Sequence, residues 1–219
     1  GYDWGNTSLG PIGQWPQSLK TAISLILQSP VPIVTLWNED GVMIYNDAYS
    51  VFAGARHPQL LGSKVREGWP EVAEFNDHVM KVGLSGGTLA YVDQELTLYR
   101  SGKPEQVWMN LDYSPVYEES GRPFGVMAIV VETTAKVRVE RRLVNERGRL
   151  KAMFEQAPGF MAMVSGEDHI FEMANRAFMR LIGHRDLNGR ALREALPEMV
   201  AQGVPDILDE VHRSGLPYV

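Results

Sequence analysis

Residues 44–54 read IYNDAYSVFAG, and residues 173–183 read MANRAFMRLIG. Asparagine, alanine, an aromatic and glycine fall at the same spacing in both. An apolar strand end, then asparagine, then a helical run describes a strand that turns directly into a short helix. Asparagine suits that joint because its carboxamide oxygen accepts a hydrogen bond from an otherwise unpaired N–H of the first turn. Asp47 then lies near the positive end of the helix dipole. Asn46 and Asn175 are read as structural N-caps in preference to ligand-binding residues.

The repeat extends well beyond this joint. Pro30 matches Pro158, and Glu39-Asp40 match Glu167-Asp168, at an offset of 128. Asn46, Ala48 and Gly54 match Asn175, Ala177 and Gly183 at 129, after one inserted residue. Pro70-Glu71 match Pro197-Glu198 at 127, and Gly86 matches Gly215 at 129. Offsets that drift by single residues are what loop insertions between conserved elements produce. The first copy continues with three apolar stretches, 91–100, 107–117 and 125–132, separated by the turns SGKP and ESGRP. The second copy stops before its equivalent of these strands, so it is expected to be the N-terminal half of a domain.

Each unit should begin with two strands, 33–37 and 42–45 in the first, joined by the turn Asn38-Glu39-Asp40-Gly41. Strand side chains alternate between faces. In the second copy Glu172 should avoid the core, which points Phe171 and Met173 inward. Alignment then sends Val42 and Ile44 inward and leaves Met43 and Tyr45 on an apolar outer face needing a cover. Leu19, Ala22, Ile23, Ile26 and Leu27 repeat at helical spacing just upstream and offer one, on this chain or on a partner. In the third strand group Val107, Met109, Leu111 and Tyr113 share the inward parity. In the last strand both parities are apolar, which suits a central position. Alternation alone leaves its inward face open between Val126-Ala128-Val130 and Met127-Ile129-Val131.

The chain has 219 residues, 44% hydrophobic and 22% charged, as in ordinary globular proteins. Its net charge of −6 argues against a dedicated nucleic-acid binder. No apolar run approaches the roughly 18 residues that span a bilayer, and the start is not a signal peptide. The missing initiator Met suggests a piece of a longer protein. With no cysteine there are no disulfides, thiolate metal sites or cysteine nucleophiles.

Two strands, short helices and three strands, repeated after a helical connector, resemble tandem PAS domains. The residues that carry the resemblance are Asn46-Asp47-Ala48-Tyr49 through Gly54, Tyr113-Ser114-Pro115-Val116 with Ser120-Gly121-Arg122, and Phe124-Gly125-Val126 leading to Glu132-Thr133-Thr134. The last triplet is similar to the Asp-Ile-Thr that often closes a PAS core, with Glu and Thr substituted. The opening DWGNTSLGPIGQWPQSL resembles the segment before the first PAS domain of many bacterial sensor histidine kinases. The resemblance implies an α+β fold, a five-stranded antiparallel sheet with helices on one face. It also implies a linker helix, a second, truncated PAS unit, dimerisation, and output through flanking helices. The corresponding division is 1–28 for an N-terminal segment with an amphipathic helix, 29–134 for the first PAS domain, 135–157 for the connector and 158–219 for the second unit.

The connector AKVRVERRLVNERGRLKAMFEQA contains no proline and would be roughly 35 Å long as a helix. Val139, Leu143, Leu150, Met153 and Ala157 follow alternating three-four spacing, interrupted by Glu146. Residues 136–151 carry seven basic and two acidic side chains. A helix docked on its own domain and a parallel dimeric coiled coil both fit; a nucleic-acid helix is disfavoured because the acidic chain offers no second basic element. Gly148 costs about 1 kcal/mol relative to alanine and marks a soft point.

Catalytic signatures are missing. The five histidines, His57, His78, His169, His184 and His212, show no metal-ligand spacing, and residues 83–88 lack the lysine of a phosphate loop. There is no GxSxG elbow, kinase Gly-rich loop, phospho-acceptor histidine box or GGDEF motif. This chain is therefore read as non-enzymatic and without a metal site, within a parent that the resemblance makes a protein histidine kinase. A flavin or chromophore linked through cysteine is excluded; haem, with His78 as the nearest candidate ligand, and non-covalent flavin are not expected. Val42, Ile44, Trp69, Met109, Leu111, Tyr113, Ala128 and Val130 form the candidate pocket for a small apolar or aromatic ligand, with simple core filling as the competing reading. Together these readings give a cytoplasmic sensing and dimerisation region, relaying a stimulus along Val139, Leu143, Leu150 and Met153 to a downstream kinase domain. The alternatives are a diguanylate cyclase or other PAS-bearing regulator, and a ligand-free interaction module.

Overall fold

A computed structural model of the chain describes residues 2–218. The chain divides into two compact units, Gly1–Glu140 and Arg141–Val219.

The first unit is built on five antiparallel strands: β1 (Ile33–Trp37), β2 (Val42–Tyr45), β3 (Leu89–Leu98), β4 (Glu105–Tyr117) and β5 (Pro123–Glu132). Their order across the sheet is β2-β1-β5-β4-β3. The doubly apolar β5 is thus the central strand. Val126, Ala128 and Val130 enter the main core, and Met127 and Ile129 are half-buried on the other side. On the core face lie α2 (Asp47–Ala53), α3 (Val65–Gly68) and α4 (Ala73–Leu84). Helix α4 comes unusually close to β5 at Gly83, where a Cβ would stand 2.4 Å from a Val126 methyl. A side chain there would force helix and sheet apart.

The opposite face is covered by α1 (Gln17–Leu27) of the same chain. Its Leu19 joins Trp15, Trp37, Val42 and Ile44 in a second apolar cluster. Thr35 is the polar residue on this side. Its hydroxyl donates to the Ile44 carbonyl (2.9 Å) and accepts from the Trp37 indole N–H (2.8 Å), so no buried polar atom is stranded there. Burying side chains of this size stabilises by roughly 1.5–3 kcal/mol each.

This arrangement corrects the facing expected for β2. Met43 and Tyr45 point into the main core, whereas Val42 and Ile44 point outward under α1. The error originates in the second unit, whose hairpin is β6 (Ala162–Ser165) and β7 (Ile170–Ala174). There Met163 pairs with Met173 but Val164 pairs with Phe171, leaving Glu172 bulged out of the ladder. The residue inserted between the two copies is therefore Glu172 itself. Phe171 makes the backbone bonds to Gly189 and Arg190 that Met43 makes to Gly62 and Ser63, so Phe171 is equivalent to Met43 rather than to Val42. A one-residue slip reverses every side chain of a strand.

The second unit continues with α6 (Arg176–Leu181), α7 (Leu192–Ala195), α8 (Pro197–Ala201) and α9 (Val204–Ser214). Phe171, Phe178, Ile182, Leu187, Leu192 and Leu196 form its core. His169, buried at the hairpin turn, ties the hairpin to α9 through Asp209 at 2.8 Å. The helix α5 (Thr134–Gln156) runs through the boundary between the units.

Candidate functional site

Met109, Leu111 and Tyr113 of β4, Ala128 and Val130 of β5, and Trp69 after α3 line one cavity in the first unit, of about 50 Å³. Six of the eight expected lining residues thus meet there, and Val42 and Ile44 do not. The inward position on β2 is held by Met43, and β1 contributes Val34 and Leu36. The wall also includes three further aromatics, Tyr49, Phe52 and Phe75, the aliphatic Val65, Val72, Leu96 and Leu98, and one polar residue, Asn76. Asn76 was detectable in the sequence: on α4 it shares the buried face of Val79, Met80 and Gly83 and is the only polar side chain there.

Among the described residues no charged side chain lines the cavity. Burial raises the pKa of both Tyr49 and Tyr113, which keeps these phenols protonated across the physiological range. The Asn76 Nδ2 is buried without a hydrogen-bond partner. The Trp69 indole neighbours the Tyr49 hydroxyl and acts against burial on that phenol's pKa.

Trp69 is held from outside the cavity. The Arg56 guanidinium lies 4.6 Å from its ring centroid and pairs with Glu71 at 3.0 Å, while Glu71 also accepts from the Tyr99 N–H at 2.8 Å. Arg56 further donates to the Gly68 carbonyl. A planar cation over an aromatic face is favourable and fixes the ring orientation.

A second set of contacts leaves the cavity at Phe52. The Arg100 guanidinium lies 5.2 Å from the Phe52 ring centroid. It binds Glu132 at 2.7 Å and Glu105 at 2.9 Å. Glu132 accepts from the Thr134 hydroxyl at 2.7 Å, and that hydroxyl accepts from the Trp108 backbone N–H at 3.0 Å. Burial alone would raise the Glu132 pKa, but the hydrogen bonds from Arg100 and Thr134 outweigh it and hold the carboxyl below its ordinary value. Thr134 is the first residue of α5, so the helix starts from a side-chain network anchored in β4 and β5. Lys136, two residues on, pairs with Asp93 of β3 at 3.3 Å.

Profile comparison agrees with this architecture. A family profile described as PAS fold matches residues 27–138, and one described as PAS domain matches residues 148–214. The chain belongs to the PAS family. Among solved structures it is similar to the PAS domain of BvgS from Bordetella pertussis, at 21% identity over 61% of this chain and 98% of that one, with a TM-score of 0.45. It is also similar to a sensory box sensor histidine kinase from Vibrio cholerae (19% identity, 53% of this chain and 88% of that one, TM-score 0.37). A third is the LOV protein of Rhodobacter sphaeroides (18% identity, 53% and 66%, TM-score 0.42).

The PAS cavity does not fit a large cofactor. Pockets for such ligands run to about 300–1,000 Å³, against about 50 Å³ in this arrangement. His78 is exposed on α4 and is not part of the cavity wall. The absence of cysteine rules out a cysteine-linked flavin.

The caps and the connector complete the expected residues. Asn46 and Asn175 cap α2 and α6 by accepting from Tyr49 and Phe178, each at 2.9 Å. Val139, Leu143, Leu150 and Met153 on α5 are 58–65% exposed. Leu143 and Leu150 also border an open groove of about 880 Å³ with Phe171 and Met173.

Proposed function

We propose that the chain is the sensing and dimerising region of a cytoplasmic two-component sensor histidine kinase. A change in the first PAS core alters the start of α5 and, through that helix, a downstream kinase domain of the same chain. The observation that carries this reading is the unbroken set of contacts from Phe52 in the cavity wall through Arg100 and Glu132 to Thr134. Because Arg100 touches both the wall and the carboxylate that anchors α5, a displaced Phe52 bears directly on the helix start. The same device would serve a diguanylate cyclase or another output domain. No nucleic acid is required, and among the described residues no helix is long and apolar enough to cross a membrane.

The exposed apolar seam of α5 supports a homodimer. Paired with a second copy, Val139, Leu143, Leu150 and Met153 would leave water together, as the inward positions of a coiled coil do. Native mass spectrometry of the purified chain tests this. The expected result is a dimer that Leu143→Glu with Leu150→Glu converts to a monomer; a monomeric unaltered protein would contradict it. The small cavity favours a second reading, a PAS interaction module that takes no ligand.

A further inference from the structure

The groove beside α5 in the second unit has a counterpart in the first. Between α1, β2 and α2 lies an open groove of about 570 Å³; between α5, β7 and α6 lies one of about 880 Å³. The internal repeat aligns them: Lys151, Met173 and Met179 stand where Ile23, Ile44 and Ser50 stand in the first copy. Among the described residues none of β3, β4 or β5 lines the first groove, so the later strands of a PAS sheet do not close it.

The first groove is narrowed by the segment ahead of α1. Trp4, Ile12 and Trp15 form part of its wall. Lys20 and Asn38 hold that segment by donating to the Gly13 and Ser8 carbonyls, at 3.4 and 3.3 Å. Tyr2 packs on Trp4, with ring centroids 4.6 Å apart, and lies over Gly62, where a Cβ would collide with it. Gly189 is the equivalent of Gly62, because each donates its N–H to the matching strand carbonyl, that of Phe171 or Met43. A Cβ on Gly189 would meet nothing within 4 Å. Helix α5 leads directly into the second groove, and Leu143 takes the place of Trp15. Among the described residues nothing takes the places of Tyr2, Trp4 and Ile12 there.

We infer that the groove of the second unit is a docking site for an extended peptide segment of a partner protein, with two aromatic side chains one residue apart and basic neighbours. The segment lies over Gly189 as Tyr2 and Trp4 lie over Gly62. Aromatic rings suit the floor, which is Phe154, Met163, Met173 and Met179, because thioethers pack favourably against ring edges. Positive charge suits the rim, where Glu146, Glu155, Glu172 and Asp186 outnumber Arg147 and Lys151. Asp186 is paired only loosely, with Arg190 at 4.0 Å. The site is independent of what the first PAS cavity senses. Leu143 and Leu150 at its edge also belong to the α5 seam, which makes a second copy's helix the competing occupant.

Methyl NMR of the whole chain, labelled at its ten methionines, tests the site with the peptide KKYKWGKK as probe. The Met163, Met173 and Met179 methyls should shift saturably, while those of Met43, Met80 and Met109 in the first core stay in place. Replacing both aromatics of the peptide by alanine should weaken binding at least about tenfold, since Trp and Tyr are the usual anchors of an interface. Replacing its lysines by glutamate should also weaken binding, most at low salt. Phe154→Ala, outside the second unit's buried core, should weaken the aromatic peptide by about tenfold. Equal binding of the alanine peptide would overturn the inference and leave only a charged surface. Groove methyls that no peptide moves would overturn it too. So would groove methyls that move on dilution of the protein alone, which would give the groove to a second copy.

Discussion

Asn46 receives the amide hydrogens of Tyr49 and Ile33 on its oxygen, at 2.9 and 3.1 Å. Its own amide group serves the carbonyls of Ile26, Ser29 and Val31, at 3.1, 3.0 and 2.7 Å. One side chain thus caps α2, begins β1 and fixes the segment that leaves α1. Asn175 repeats the pattern with Phe178, Met161, Ala157 and Gly159. The cap itself is legible in the sequence, because its partner lies three residues on. The other partners lie 13–20 residues away, between the end of α1 and the start of β1, where nothing in the composition announces a group bound for Asn46. The consequence is measurable by urea denaturation. An ordinary cap is worth about 1 kcal/mol, but Asn46→Ala strands several buried groups at once and should cost ~3 kcal/mol. A loss near 1 kcal/mol would show that the contacts beyond the cap contribute nothing.

Among the elements, strand existence and helix positions follow from periodicity, whereas facing in β2 does not. Glu172 carries the reason. A charged residue marks the outward parity only in an unbroken alternation, but here it is the extra residue of a bulge and reports on neither parity. Hydrophobicity could not arbitrate, since all four residues of β2 are apolar and buried. Helix α1 explains why both faces are apolar. It lies almost entirely outside residues 27–138, the span matched by the PAS fold profile, yet it covers Trp37, Val42 and Ile44. It is therefore an integral part of this domain's core. Leu19 is fully buried, and Leu19→Ala should destabilise the first unit by ~3 kcal/mol in the same denaturation experiment. A loss under about 1 kcal/mol would mean that α1 only rests on the sheet.

For the molecule as a whole, the sequence shows the duplication, the PAS architecture and six residues of the cavity wall. It conceals what links the cavity to the helix that leaves it, because Phe52, Arg100 and the Glu132–Thr134 pair stand far apart in the chain. No spacing rule joins a ring on α2 to a guanidinium beyond β3. The link matters because a sensor must convert occupancy into a change at its exit, and differential contacts in two states are the only currency for that.

Hydrogen exchange along α5, compared between the unaltered protein and Arg100→Ala, tests the central claim most directly. Arg122→Ala, which removes only the exposed pair with Glu118, serves as the control. Losing charge-assisted bonds to Glu132 and Glu105 should free the Thr134 anchor and raise exchange over residues 134–140 by about tenfold or more, since such bonds are worth ~1.5–3 kcal/mol. The control should leave those amides unchanged. Exchange at the start of α5 that is the same in Arg100→Ala as in the unaltered protein would contradict the account, because the cavity would then have no hold on the helix.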